Sequence, residues 1–230
     1  MVRVVDFGVV FDLDGVLVNT EELGWQVWRS LAGRYGLELS LEDLRAVTGC
    51  TDDESVQYFG KWLDEPELVV LGEHFQTGFA AAKQQRTRAY PDALETLTAL
   101  QDRSAPVAVA SNSTTSDVEA ALKRAGLAGL VQHVVGIDQV ERPKPAPDIY
   151  ELATSMLECG VAVAVEDSPT GIASARAAGL PVLAVDRGLF DGSSLAEATT
   201  SAPAISCALL ESLAGHGTGP RAGLKPRGTP

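Results

Sequence analysis

The stretch VVFDLDGVLVNTEE, Val9 to Glu22, runs from an apolar strand straight into two carboxylates, Asp12 and Asp14, set around a single Leu. A structural turn needs one Asp or Gly at such a point, not two like charges two residues apart. The pair points to something cationic or phosphorylated at the end of a strand. Gly15 lets the chain turn away tightly. If the backbone stays strand-like through Leu13, Asp12 and Asp14 project to the same side, because side chains alternate faces with period two.

Working outward from this strand, four further apolar runs stand out: Pro106 to Ala110, His133 to Ile137, Val161 to Val165 and Pro181 to Val185. Near-continuous apolarity fits strands buried on both faces, as in a parallel sheet. Helical patterns lie between them, at Asp92 to Leu100, Ser116 to Ala125, Asp148 to Leu157 and Thr170 to Ala178. The alternation predicts an α/β fold, a doubly wound Rossmann-like domain on a parallel sheet.

Glu21 to about Arg88 breaks the pattern, with many helix formers and no comparable strand. It reads as a helical insertion after the first strand. Leu23, Val27 and Leu31 recur at four-residue spacing, and Ser40 followed by Glu42 and Asp43 reads as a capped helix start. The expected organisation is a core of residues 1–18 and 89–213, a cap of 19–88 able to close over a site like a lid, and a disordered Gly- and Pro-rich tail at 214–230. Trp25 and Trp28 are expected to pack into the cap's own core.

With 230 residues, 45% of them hydrophobic, the chain can bury one sizeable core and still carry an insertion. Its formal charge of −13 argues against a nucleic-acid partner, which demands a basic stripe. No apolar run approaches the roughly 20 residues that span a bilayer. The first ten residues lack the form of a signal peptide. Three widely spaced cysteines, Cys50, Cys159 and Cys207, suggest reduced thiols in a cytoplasmic protein.

Ligands of open α/β sheets bind at the carboxyl ends of the strands. The polar residues that follow the apolar runs are Asp12 and Asp14, then Ser111, Asn112 and Ser113, then Lys144, then Glu166, Asp167 and Ser168. Each has an ordinary explanation when taken alone: Glu166 and Asp167 as a helix cap, Ser111 and Asn112 as a turn, Lys144 as a solvated cation. On one edge and in this order they point to magnesium-assisted phosphoryl transfer. Converging carboxylates raise one another's pKa, so a hard divalent cation is their natural companion. The lack of a cysteine or histidine cluster disfavours zinc. In this reading Asp12 attacks phosphorus, and Asp14 protonates the leaving oxygen and later activates water. Lys144, Ser111, Asn112 and Ser113 hold the phosphoryl oxygens, while Asp12 and Asp167, with Glu166 close behind, hold the metal.

The motifs DLDGV at 12–16, SNS at 111–113, the lysine of KPAPDIY at 144 and EDSPTGIASARAAG at 166–179 resemble those of the haloacid dehalogenase superfamily. The helical insertion resembles the C1 cap of its β-phosphoglucomutase and phosphoglycolate phosphatase branch. The resemblance implies Asp12 as nucleophile, Asp14 as general acid and base, and Ser111 and Lys144 as phosphate ligands. It also implies Mg²⁺ on Asp12, Asp167 and the Asp14 carbonyl.

Three departures separate the chain from β-phosphoglucomutases. Asp52 stands where they carry a cap arginine, a cap lysine counted back without gaps from Tyr90 falls on Glu73, and the histidine expected twelve residues after the nucleophile is Gly24. A mutase must grip a bisphosphate at both ends, so the expectation is a monophosphatase acting on a small phosphorylated metabolite, a sugar or other polyol phosphate. A mutase or a silent phospholigand binder is the alternative. Thr20, Glu21, Gly49 and Thr51 are candidates for substrate contact. Asn19 stands where many relatives have Asp. The expected state is a monomer or weak homodimer without nucleic-acid or membrane partners.

Overall fold

The computed structural model describes residues 7–50 and 52–216. Among these, a six-stranded sheet is built from β1 (Phe7–Phe11), β2 (Val107–Ala110), β3 (His133–Val135), β4 (Val161–Glu166), β5 (Val182–Val185) and β6 (Thr200–Ala202). Its order is β3-β2-β1-β4-β5-β6 and every neighbouring pair runs parallel. The chain winds outward in both directions from β1, so the crevice of a doubly wound sheet opens at the carboxyl ends of β1, β2 and β4.

The helices that follow β1 are α1 (Thr20–Arg34), α2 (Leu41–Val47), α3 (Asp52–Tyr58) and α4 (Glu65–Arg86). Those that alternate with the remaining strands are α5 (Pro91–Asp102), α6 (Thr115–Arg124), α7 (Asp148–Met156), α8 (Pro169–Ala177) and α9 (Cys207–His216). Period-two alternation sorts the strand side chains between the two faces. Val9, Phe11, Val163, Val165, Leu183 and Val185 pack on one face beneath α5, α6 and α9. Val10, Ala108, Ala110, Ala162, Ala164 and Ala184 pack on the other beneath α7 and α8. That second face is mostly alanine, which lets Ile149, Tyr150 and Ile172 come close to the sheet.

Helices α1 to α4 bury an apolar cluster of their own. Leu23, Val27 and Leu31 are all buried, and Trp28 stacks on Phe75 with ring centroids 3.7 Å apart and on Phe59 at 4.8 Å. The capped start at Ser40 is realised as a capping box with Asp43, and Asp64 forms a second one with Glu67. Two chain segments join these helices to the sheet domain, and they pair through an antiparallel bridge between Val18 and Ala89. Asn19 fastens the pair: its Oδ1 accepts the Arg88 N–H at 2.8 Å and its own N–H donates to the Arg88 carbonyl at 3.2 Å. A carboxylate could accept that same bond, so the Asn in place of Asp leaves this strap intact.

Three expectations need correction. β1 stops at Phe11 and the chain bends at Leu13, whose side chain is buried in the core, so Asp12 and Asp14 reach the same cleft through a turn and not through strand alternation. The apolar contacts of α9, Leu213 and Ala214 among them, carry that helix to His216, past the expected tail boundary at 214. β6, with the sequence TSA, had no apolar signature because an edge strand of three residues is only partly covered. Thr51 and residues 217–230 lie outside the described residues, as does the Asp52 side chain.

Candidate active site

The carboxyl ends of the strands open into a cleft of about 780 Å³ between the sheet and the helices that follow β1. Asp12, Asp14, Ser111, Asn112, Ser113, Lys144 and Asp167 line its sheet side; Thr20, Glu21 and Gly49 line the helical side. Glu166 lies just behind, fully buried.

Lys144 organises the floor. Its side chain is 5% exposed, and its ammonium donates to Asp12 Oδ1 at 2.5 Å and to Glu166 Oε1 at 2.6 Å. Burial works against this charge, but Asp12 and Glu166 outweigh it and hold the lysine pKa above its ordinary value. The lysine loop is fixed by Asn112, whose Oδ1 accepts the Lys144 N–H at 3.0 Å while its amide donates to the Lys144 carbonyl at 3.4 Å. Asn112 therefore lines the cleft with its side chain already engaged, and serves to place Lys144. Ser111 accepts the Ser113 N–H at 3.1 Å, which folds the segment between them into a compact turn at the end of β2.

Glu166 is saturated. Oε1 also accepts the Tyr150 hydroxyl at 2.7 Å, and Oε2 accepts the backbone N–H of Asp167 and the hydroxyl of Ser168. Gly171, on the first turn of α8, makes room for it: a Cβ there would lie 1.8 Å from Glu166 Oε1. Asp167, in contrast, has a buried Oδ2 without a hydrogen-bond partner. Gly15, at φ +74°, lets the chain pass beside that same oxygen, which would sit 1.8 Å from an added Cβ.

Ligand oxygens of Asp12, Glu166 and Asp167 lie within 4.8 Å of one another, and all three residues are buried. Burial first, then mutual repulsion, pushes the Asp12 and Asp167 carboxyls well above their ordinary values despite Lys144. A hard oxygen donor set with one orphaned oxygen and excess negative charge fits a divalent cation such as Mg²⁺. The Asp14 carboxylate stands apart from this cluster. It accepts a hydrogen bond from Thr20 at the start of α1, and burial raises its pKa against that bond and the charge of Lys83.

The helical side of the cleft holds residues that sequence reasoning missed. Glu73 is exposed on α4, whereas Phe75, Phe79 and Lys83 line the cleft at four-residue spacing along one face of that helix. The residue reached by counting without gaps does not line the cleft, and the periodic stripe was the available signal for those that do. A cation does face the cleft from this side, accompanied by Glu21. Gly24 lies on the same wall. Trp28 belongs to the helical core and Trp25 packs against it partly buried, as expected; both also line the cleft, and Trp25 donates its indole N–H to Thr48 at 2.8 Å. Phe190, from the segment after β5, closes the cleft against Gly49, whose φ is +73°.

Glu21 carries a testable electrostatic signature. Burial, and secondarily the Asp14 charge, raises its carboxyl from 4.5 to about 7. The folded chain thus holds a proton that the unfolded chain releases from about pH 4.5 upward. This contribution to stability is complete below pH 4.5, is lost as pH rises to about 7, and is flat above. Glu21→Gln, which mimics the protonated form, should gain on the wild type by on the order of 2–3 kcal/mol between pH 4.5 and 7.5. Urea melts of metal-free protein at the two pH values measure it; a gap that does not widen contradicts the assignment.

Comparison with known proteins gives a consistent likeness. A family model described as haloacid dehalogenase-like hydrolase matches residues 9–185. Hexitol phosphatase A of Escherichia coli (strain K12) is 32% identical over 187 residues, which are 78% of this chain and 82% of that protein. The bifunctional riboflavin kinase/FMN phosphatase of Arabidopsis thaliana is 29% identical over 183 residues, 77% of this chain and 48% of that protein, so the chain spans about half of that relative. The crystal structure of a HAD family hydrolase from Deinococcus radiodurans R1, with bound phosphate and sodium, is 32% identical with a TM-score of 0.79, covering 94% of this chain and 97% of that one.

Proposed function

The chain belongs to the haloacid dehalogenase-like hydrolases, and from this premise we propose that it is a Mg²⁺-dependent phosphatase acting on a small phosphate monoester, a sugar or other polyol phosphate. The observation that carries the reading is the buried Asp12, Glu166 and Asp167 cluster, in which Lys144 bridges Asp12 and Glu166, with Asp14 lining the same cleft.

In this proposal the divalent cation is held by Asp12 and Asp167, with the Asp14 carbonyl completing the protein ligands. When bound it supplies positive charge against the phosphoryl oxygens and the carboxylates. An Asp12 carboxylate oxygen attacks phosphorus as the bond to the alcohol oxygen breaks, giving an aspartyl phosphate. Asp14, whose raised pKa favours its acid form, gives its proton to the departing oxygen. The resulting Asp14 carboxylate then takes a proton from water, which attacks the same phosphorus and frees Asp12 and phosphate. Lys144 and Ser111 balance the phosphoryl charge throughout. Glu166 does not react and orients Lys144.

The opposite wall supports a polyol as the alcohol. Trp25, Phe79 and Phe190 offer apolar ring surface to C–H groups, while Glu21, Thr48 and Lys83 offer hydroxyl partners. The related Escherichia coli protein is named a hexitol phosphatase, in keeping with that chemistry. Lys83 favours a mutase, since a second phosphate requires a cation there; Glu21, within electrostatic reach of both Lys83 and Asp14, offsets it.

A panel of phosphate monoesters assayed with Mg²⁺ or with chelator decides the matter. Free phosphate should appear with a polyol phosphate and fall by at least about 100-fold on metal removal. Isomerised sugar phosphate without free phosphate would establish the mutase instead.

A further inference from the structure

We infer that Arg187 is a positioning residue that holds the Asp12–Asp14 loop in its reactive geometry from the far side of the sheet edge. The inference rests on the phosphatase reading for its kinetic consequence and on the structure alone for its mechanical one.

Arg187 is the second residue after β5 and its side chain is 10% exposed. Nε donates to the Gly15 carbonyl at 3.3 Å and Nη2 to the Val16 carbonyl at 3.2 Å, so one guanidinium grips the two residues that immediately follow Asp14. Nη2 also donates to Asp92 Oδ1 at 3.1 Å, and the other Asp92 oxygen accepts the Ile205 N–H at 2.7 Å. The guanidinium lies over the Tyr90 ring at 4.0 Å. Tyr90 in turn donates its backbone N–H to the Leu17 carbonyl at 3.0 Å and its hydroxyl to Glu22 of α1 at 3.3 Å.

The segment that carries Arg187 is itself anchored, because Arg45 of α2 donates twice to the Gly188 carbonyl, at 3.3 and 3.1 Å. Arg187 thus joins β5, the loop after Asp14 and the start of α5. The demand for such a clamp is local. Gly15 sits in the left-handed region against Asp167, and the backbone bonds that close its turn, Gly15 N–H to the Val18 carbonyl and Leu17 and Val18 N–H to the Leu13 carbonyl, leave the Gly15 and Val16 carbonyls to Arg187. Only a planar fork can serve two adjacent carbonyls, an aspartate and a ring face together; a lysine ammonium cannot.

The experiment compares Arg187→Lys with Asp92→Ala in the full chain. Asp92→Ala removes the ion pair but leaves the bonds to Gly15 and Val16, so it reports what purely structural support is worth. Arg187→Lys should lower kcat by about 100-fold with KM within about twofold, since a loop misplaced by about an ångström costs that much. It should also speed amide hydrogen exchange across residues 13–18 by at least about tenfold while β4 exchanges as in the wild type. Asp92→Ala should lower the melting temperature and leave kcat within about threefold. Free guanidinium should restore part of the kcat of Arg187→Ala.

Unchanged exchange at residues 13–18 in Arg187→Lys overturns the inference. Exchange raised equally across β4, or an equal kcat loss in Asp92→Ala, overturns it too, because either marks general structural support. Should the wild type release no phosphate from any monoester, the phosphatase reading fails by itself, and the exchange comparison still decides whether Arg187 holds the loop.

Discussion

Asp12→Asn is expected to lower phosphate release by at least about 10⁴-fold while leaving the fold intact. An amide has the shape of the carboxylate but not its nucleophilic oxygen, and losing a covalent catalyst costs on the order of 10⁴ to 10⁶ in kcat. Its effect on stability should run the other way. Asp12 is buried with Glu166 and Asp167, and burial, helped by the Glu166 and Asp14 charges, raises its carboxyl above the ordinary value against the pull of Lys144. Neutralising it removes repulsion, while Lys144 keeps its bond to Glu166. A raised folded-state pKa means stability that is present below about pH 4 and lost as pH rises. Metal-free Asp12→Asn should therefore melt at or above the wild-type temperature near neutral pH, with the advantage shrinking toward pH 4. Thermal melts in chelator, beside phosphate release with Mg²⁺, measure both. Turnover above a hundredth of wild type would remove Asp12 from the nucleophile's role.

Lys144→Met is expected to fail on both counts. Methionine keeps the length and the apolar stem but leaves Asp12, Glu166 and Asp167 buried around no cation. Removing one partner of a buried ion pair costs roughly 3–5 kcal/mol, because the orphaned charge has nowhere to go. The deficit should narrow as acid protonates the carboxylates, and narrow again when Mg²⁺ is added, since a divalent cation replaces the missing charge. Phosphate release should fall by about 10³-fold with the loss of a charge aimed at the phosphoryl group. Urea melts at pH 5 and 7.5, with and without Mg²⁺, test the sign. If Asp12→Asn and Lys144→Met destabilise equally without metal, the cluster is not dominated by excess negative charge.

Much of this was legible in the sequence. The strand runs were continuous because strands covered on both faces have no polar face to show; β2, β3, β4 and β5 lie within the expected runs apart from the terminal Glu166, and β1 begins at Phe7, before the quoted stretch. The carboxyl-end residues could be collected before any contact was known, because a parallel sheet brings the ends of its strands to one edge. The structure then brings Lys144 onto Asp12 across a separation of 132 residues, gathers Glu166 and Asp167 beside them, and joins Asn112 to the lysine loop.

What could not be read depended on the path of the chain between those elements. Glu73 and Lys83 both lie on α4, and only the docking of that helix against the sheet domain turns one to solvent and the other to the cleft. Arg187 looked like an ordinary basic residue after a strand. Its partners Gly15, Val16 and Asp92 are 172, 171 and 95 residues away. By itself the sequence determined the parallel sheet apart from its edge strand β6, and the polar residues gathered at its carboxyl edge, since local burial patterns and turn chemistry are written in neighbouring residues. Tertiary structure alone decided which helix face meets the site and which side chains brace it, because those follow from how whole elements pack at a distance and not from spacing along any one of them.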